Sequence, residues 1–160
     1  DERLRPYAER AVYYTLGAQH PTTGGWRYHP GDPGDTSQFG WQVMVLSSAE
    51  QAGLAVPLRA KQGMQRFHAS VTNGSYRGLA GYRPGHSATR SMTAEALACR
   101  AFLGRTDPRA TAEASQFLMD DLPGRGTDDL YYWYYAALGL YLSDAEAWPQ
   151  TVDLLAKLRG

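Results

Sequence analysis

Five carboxylates and a run of aromatic rings are the residues of this chain best suited to chemistry. Asp32 and Asp35 flank Pro33 and Gly34, and Asp128 and Asp129 are adjacent, just ahead of Tyr131, Tyr132, Trp133 and Tyr135. A carboxyl group held beside a second one, or buried, stays protonated near neutral pH and can act as a general acid. Two carboxylates flanking a glycosidic bond can cleave it. The same residues ahead of a helix cap its free N–H groups and complement its dipole, which is the leading expectation for Asp35, Asp128 and Asp129. Asp32 and Asp35 sit in a Pro/Gly loop, where water keeps both ionised. If the chain has acid chemistry, Asp128 or Asp129 is therefore the better candidate. Glu95 is the one acid midway along an apolar helical run. A buried carboxylate needs a partner, which Arg90, Arg100 or a tyrosine can supply.

Tyr28, Trp41, Tyr131, Tyr132, Trp133 and Tyr135 are candidate ligand-binding rings. Aromatic faces stabilise carbocations through their quadrupole and stack on sugars, and they also simply fill cores. His29, Asp32 and Asp35 are spaced to gather one cation, but the spacing matches no specific metal motif. Cys99 lies in an apolar run and reads as a small core residue. No metal or cofactor is expected. Gly-rich phosphate loops and nucleophile-elbow patterns do not occur.

Formal net charge is zero, which gives no sign of a nucleic-acid partner. Hydrophobic residues make up 43% of 160, enough for the core of one domain spanning residues 1–160. The chain starts with Asp1, and its first methionine is Met44. It is expected to be a piece of a longer or processed protein, and its compartment is left open.

The elements that must hold these side chains are helices. Caps and apolar spacing predict seven, roughly 2–17, 37–52, 57–71, 88–103, 108–121, 129–142 and 146–158. Asp35 or Thr36, Asp107 with Pro108, and the box Ser143–Glu146 read as starts. Gly17, Gly53, Gly104 and Gly124 read as stops. Four helices carry one apolar stripe: Leu4, Tyr7, Ala8, Ala11, Val12 and Thr15 in the first; Ala60, Met64, Phe67 and Val71 in the third; Ala110, Ala114, Phe117 and Leu118 in the fifth; Trp148, Val152, Leu155 and Leu158 in the seventh. The other three are apolar nearly all round and are expected to be enclosed. The alternation predicts an inner layer wrapped by an outer one. Strand signal is confined to residues 75–83.

One segment resembles a known repeat. Arg10, Ala11, Tyr14, Gln19, Gly24 and Trp26 are similar to the QW repeat of squalene–hopene and oxidosqualene cyclases, with Thr15 in place of an aliphatic residue. Degenerate echoes run through Ala114, Phe117 and Leu118, through Tyr82 and through Leu154 and Leu155. The resemblance implies the α/α toroid shared by triterpene cyclases and protein prenyltransferases, here about half a ring. Arg10, Gln19, Gly24, Trp26 and Asp35 become structural residues, with Gln19 and Trp26 tying an outer helix to the next loop. The Asp-x-Asp-Asp acid motif of the cyclases is absent, and so is the Asp-x-Cys zinc pattern of the prenyltransferases. The leading expectation is a non-catalytic scaffold or binding module. The alternatives are an isoprenoid or lipid cyclase-like enzyme with a Tyr/Trp-lined cavity, and a glycan-active α/α barrel. Expected partners are an isoprenoid or other apolar ligand, the rest of a parent protein, or a second copy. Val43, Leu46, Tyr132 and Tyr135 are the residues expected to be left uncovered by an incomplete ring.

Overall fold

The computed structural model describes residues 2–105, 107–121 and 129–143, with the single positions 152 and 156. The chain is mostly helical. A short 3-10 turn, Glu2–Leu4, leads into α1 (Arg5–Ala18). Helix α2 (Thr36–Gln51) starts at Asp35, whose carboxylate accepts the Gln38 N–H at 2.9 Å. Helix α3 (Leu58–Val71) follows Pro57. Strands β1 (Thr72–Asn73) and β2 (Leu79–Ala80) form a short antiparallel ladder, Thr72 opposite Ala80 and Asn73 opposite Leu79. Helix α4 (Arg90–Phe102) is capped by the Thr89 hydroxyl, and α5 (Pro108–Met119) by the Asp107 carboxylate. Helix α6 (Leu130–Ser143) follows Asp129, which accepts the Tyr132 N–H at 3.0 Å.

Helices α2 and α4 stop in the same way. Gly53 and Gly104 take the left-handed conformation, with φ of +73° and +63°. The next N–H in each case reaches back one turn, Leu54 to the Ala49 carbonyl and Arg105 to the Arg100 carbonyl, both near 3 Å. The expected seventh helix, the box at Ser143–Glu146, Gly124 and Asp128 lie outside the described residues, apart from Ser143 and the exposed Val152 and Ala156.

Helix α4 is the centre of the packing. Helix α4 lies against both α2 and α6, while α3 bridges α2 and α4, α5 bridges α4 and α6, and α1 rests on α2. One core joins α1, α2 and α3 through Val12, Trp26, Phe39, Leu46 and Phe67. A second joins α4, α5 and α6 through Leu97, Leu118, Tyr135 and Leu140. Helix α4 is buried without a break from Met92 to Arg100, which suits its apolar sequence. Gly139 on α6 lets the two backbones approach, since a Cβ there would meet the Ala94 carbonyl oxygen at 3.0 Å.

Three expectations about burial are corrected. Helix α1 buries only Val12 of its predicted stripe; Leu4, Tyr7, Ala8 and Ala11 are exposed, because no described element covers its first half. Helices α2 and α6 are buried on one face rather than all round. The predicted open surface of Val43, Leu46, Tyr132 and Tyr135 is buried, and Trp41, Val45, Tyr134, Tyr141 and Leu142 are exposed instead. A helix apolar on every side carries no phase, so its sequence does not tell which side meets protein.

Two loops are fastened from a distance. Gln19 Nε2 donates to the Gly24 carbonyl at 2.9 Å and to the Ala60 carbonyl at 3.1 Å, and the Trp26 indole donates to the Thr15 carbonyl at 2.8 Å. Gly24, at φ +80°, presses on the backbone of Gly63 where a Cβ would collide. Across the molecule, the Glu113 carboxylate of α5 accepts the backbone N–H groups of Ser75, Tyr76 and Gly78 at 2.7, 3.0 and 2.8 Å. Arg10 lies exposed over the Tyr7 ring.

Candidate functional site

The site with the most unusual chemistry surrounds Glu95, in the middle of α4. Its side chain is 0% exposed. Oε2 accepts a hydrogen bond from the Tyr131 hydroxyl at 2.6 Å, 36 residues along the chain. Oε1 has no hydrogen-bond partner, and neither has the buried Tyr135 hydroxyl. Gly40 of α2 lies against the carboxylate, where any Cβ would overlap it. So α2 supplies room, α6 supplies the phenols and α4 supplies the acid. Among the described residues no arginine joins the group; Arg90 instead pairs with Asp121 at 3.1 Å.

Burial pushes the Glu95 carboxyl up to about 8. The Tyr131 hydrogen bond pulls the other way, and the Asp35 charge adds to the rise. At neutral pH Glu95 is therefore a carboxylic acid. With Oε2 accepting from Tyr131, the proton is assigned to Oε1. Burial and the Glu95 carboxyl together also push both phenols up.

Above this group the rings of α2 and α6 meet. Trp41 stacks on Tyr134 with centroids 6.4 Å apart and planes at 16°, and meets Tyr135 edge-on at 6.2 Å. The Tyr134 hydroxyl approaches the Met44 sulfur at 3.8 Å. Trp41 and Tyr134 are 47% and 50% exposed, so the aromatic pair faces solvent.

Other predicted residues are placed elsewhere. Asp129 caps α6 and accepts the Ser91 hydroxyl at 3.1 Å; Asp128 lies outside the described residues. Tyr132 is buried and donates to the Asp121 carbonyl at 2.7 Å, and burial pushes its phenol up to about 12. Trp133 is half-buried against the second core. Tyr28 is exposed beside the Arg27 guanidinium. Asp35, although in a Pro/Gly loop, is fully buried: besides its cap it accepts Arg27 Nε at 3.0 Å and the Tyr82 hydroxyl at 2.9 Å. That corrects the expectation of a water-exposed group. His29 approaches only Asp32, at 3.6 Å, and no cluster of three metal-ligating side chains occurs among the described residues.

Sequence reasoning did not single out Gly40, Tyr134, Arg27 or Tyr82 for the roles they have here. Gly40, a lone glycine inside an apolar helix, was a signal of close approach. The others meet their partners across tens of residues and leave no local pattern. Compared with known families, characterised proteins and solved structures, the chain gives no match.

Proposed function

We propose that this chain is a non-catalytic binding module of the α/α-toroid type, resembling about half of a squalene-cyclase-like ring. Its ligand is an uncharged, apolar molecule of isoprenoid character, taken on the face between α2 and α6. The observation that carries this reading is the exposed pair Trp41 and Tyr134, with exposed Val45 one turn further along α2 and exposed Tyr141 two turns further along α6. No charged residue occurs from Thr36 to Ala49 or from Leu130 to Ser143. Exposed aromatic and aliphatic side chains on helices without charge suit an apolar occupant. The bridging of α2, α4 and α6 by α3 and α5, and the bracing by Gln19 and Trp26, support the toroid reading.

The test is a fluorescence titration with farnesol. Saturable change in tryptophan emission, lost in Trp41→Ala, is the expected result. No change with farnesol, together with a stable dimer that Trp41→Ala dissociates, would assign the face to a second copy of the chain and overturn the ligand reading.

A second reading, an acid catalyst acting on an isoprenoid alkene, is favoured by one observation, the protonated Glu95 beneath tyrosines. Its full burial argues against it, since a substrate carbon must reach the acid proton. Product formation from squalene that disappears in Glu95→Gln would establish it.

A further inference from the structure

We infer that the cavity where α4 and α6 end and α5 begins is a binding site for a phosphate-type oxyanion, held by Arg100 and Arg105. This goes beyond the apolar face and does not depend on it. The cavity measures about 440 Å³, and Arg100, Arg105, Thr111, Ala112 and Leu142 are among the residues lining it. That size is ordinary for a small-molecule site.

Arg100 is the unusual member. It is only 5% exposed, yet no ion pair engages it or Arg105 among the described residues. Nη2 donates to the Arg77 carbonyl at 2.7 Å, and Nε has no partner. A neutral carbonyl does not balance a buried guanidinium, and a buried charge left unpaired is costly. Among the described residues, the two carboxylates that act on Arg100 have other partners. Glu113 is held by three backbone N–H groups, and Asp107, which also lines the cavity, caps α5 through Oδ1. Burial and the Arg105 charge both work against the Arg100 charge, and Asp107 and Glu113 offset them in part.

Arg105 is exposed at the cavity rim and Arg100 lies in its wall, so an oxyanion there is within the field of two guanidinium charges, and a guanidinium fork matches phosphate oxygens. The Thr111 hydroxyl adds a neutral donor. The cavity is larger than a phosphate ion, so the organic part of a phosphate monoester has room beside Ala112 and Leu142.

Calorimetric titration of the intact chain at low ionic strength tests this, with inorganic phosphate and glycerol phosphate as probes and chloride as control. Saturable binding of phosphate over chloride is expected. Arg105→Ala, at an exposed position, should weaken it at least tenfold, the lower end for a charged hydrogen bond, without lowering Tm. Asp107→Asn keeps a capping side chain, removes the opposing charge and should tighten binding. Arg100→Lys should weaken it; should that variant fail to fold, Arg105→Ala and Asp107→Asn still decide. Binding of inorganic phosphate alone would support the site and name the free ion as its ligand, and preference for glycerol phosphate would support it and name esters. No saturable binding of either probe, or affinity unchanged in Arg105→Ala, would overturn the assignment.

Discussion

The Tyr131 hydroxyl donates to Glu95 Oε2 at 2.6 Å, tying α6 to a carboxyl that is fully buried in the middle of α4. The carboxyl rises from an ordinary 4.5 to about 8 on folding. The folded state therefore binds that proton more tightly than the unfolded state. The associated stability is fully present below about 4.5 and is lost as pH rises through about 8. The loss amounts to about 4–5 kcal/mol at most. Glu95→Gln keeps the shape and an acceptor for Tyr131 but cannot ionise. Urea denaturation should show the wild type weakening as pH rises from about 4.5 to about 8 and levelling off above that, with the variant holding level throughout; parallel curves would contradict the assignment.

His68 has the opposite sign. It is buried, Nε2 donates to the Ala96 carbonyl at 3.0 Å, and Nδ1 has no partner. Burial is the main cause that lowers it from 6.5 to about 4, and the Arg100 and Arg105 charges add to it. The stability it contributes is present above 6.5 and is lost as pH falls through about 4, by about 3 kcal/mol. His68→Gln preserves the donor to Ala96 and should remove that acid sensitivity. Equal acid midpoints for both proteins would refute it.

Trp26 is buried, lies 6.3 Å from the Phe39 ring and fastens its loop to the last turn of α1. Truncation to alanine removes a large aromatic ring from a core and leaves the Thr15 carbonyl short of a donor. Trp26→Ala should lower stability by about 3–5 kcal/mol in chemical denaturation. A loss below about 1 kcal/mol would mean that the loop holds without it.

Gly40 tests the packing of α2 on α4. Gly40→Ala drives a methyl group into the Glu95 carboxylate, and such overpacking costs about 1–3 kcal/mol. In a Glu95→Ala background the obstacle is gone, and the same change should become neutral or mildly stabilising, since alanine is the better helix former. A double-mutant cycle measures the coupling. Additive effects would separate the two residues.

What the sequence made legible was mostly local. Asp35, Thr89 and Asp107 start helices, and Gly53 and Gly104 end them, because capping uses neighbours a few residues away. Of these, Asp35, Asp107 and the two glycines are readable; Thr89 is not, because the apolar pattern starts its helix at residue 88, two residues before Arg90. The stripe of α3 was read correctly for the same reason. The Glu95 carboxyl announced itself as the acid of an apolar helix, and its tyrosine partner was one of the options. The orientation of α2 and α6 was not readable, since leucine, tyrosine and tryptophan on all sides fit any rotation. Nor was the burial of Asp35, which depends on Arg27 and on Tyr82, 47 residues away. Arg100 is legible only as a possible partner for Glu95, whereas its hydrogen bond goes to the Arg77 carbonyl, 23 residues away.

The grip of Glu113 on residues 75–78 sets an order of assembly. Three amides converge on one carboxylate that lies at least 35 residues downstream. Until α5 docks, that turn has no anion to wind around, and forming it early gains nothing against the entropy of closing the intervening chain. The turn is therefore a late-setting joint. Amide exchange at Ser75, Tyr76 and Gly78 reports on the release of a helix that none of the three belongs to.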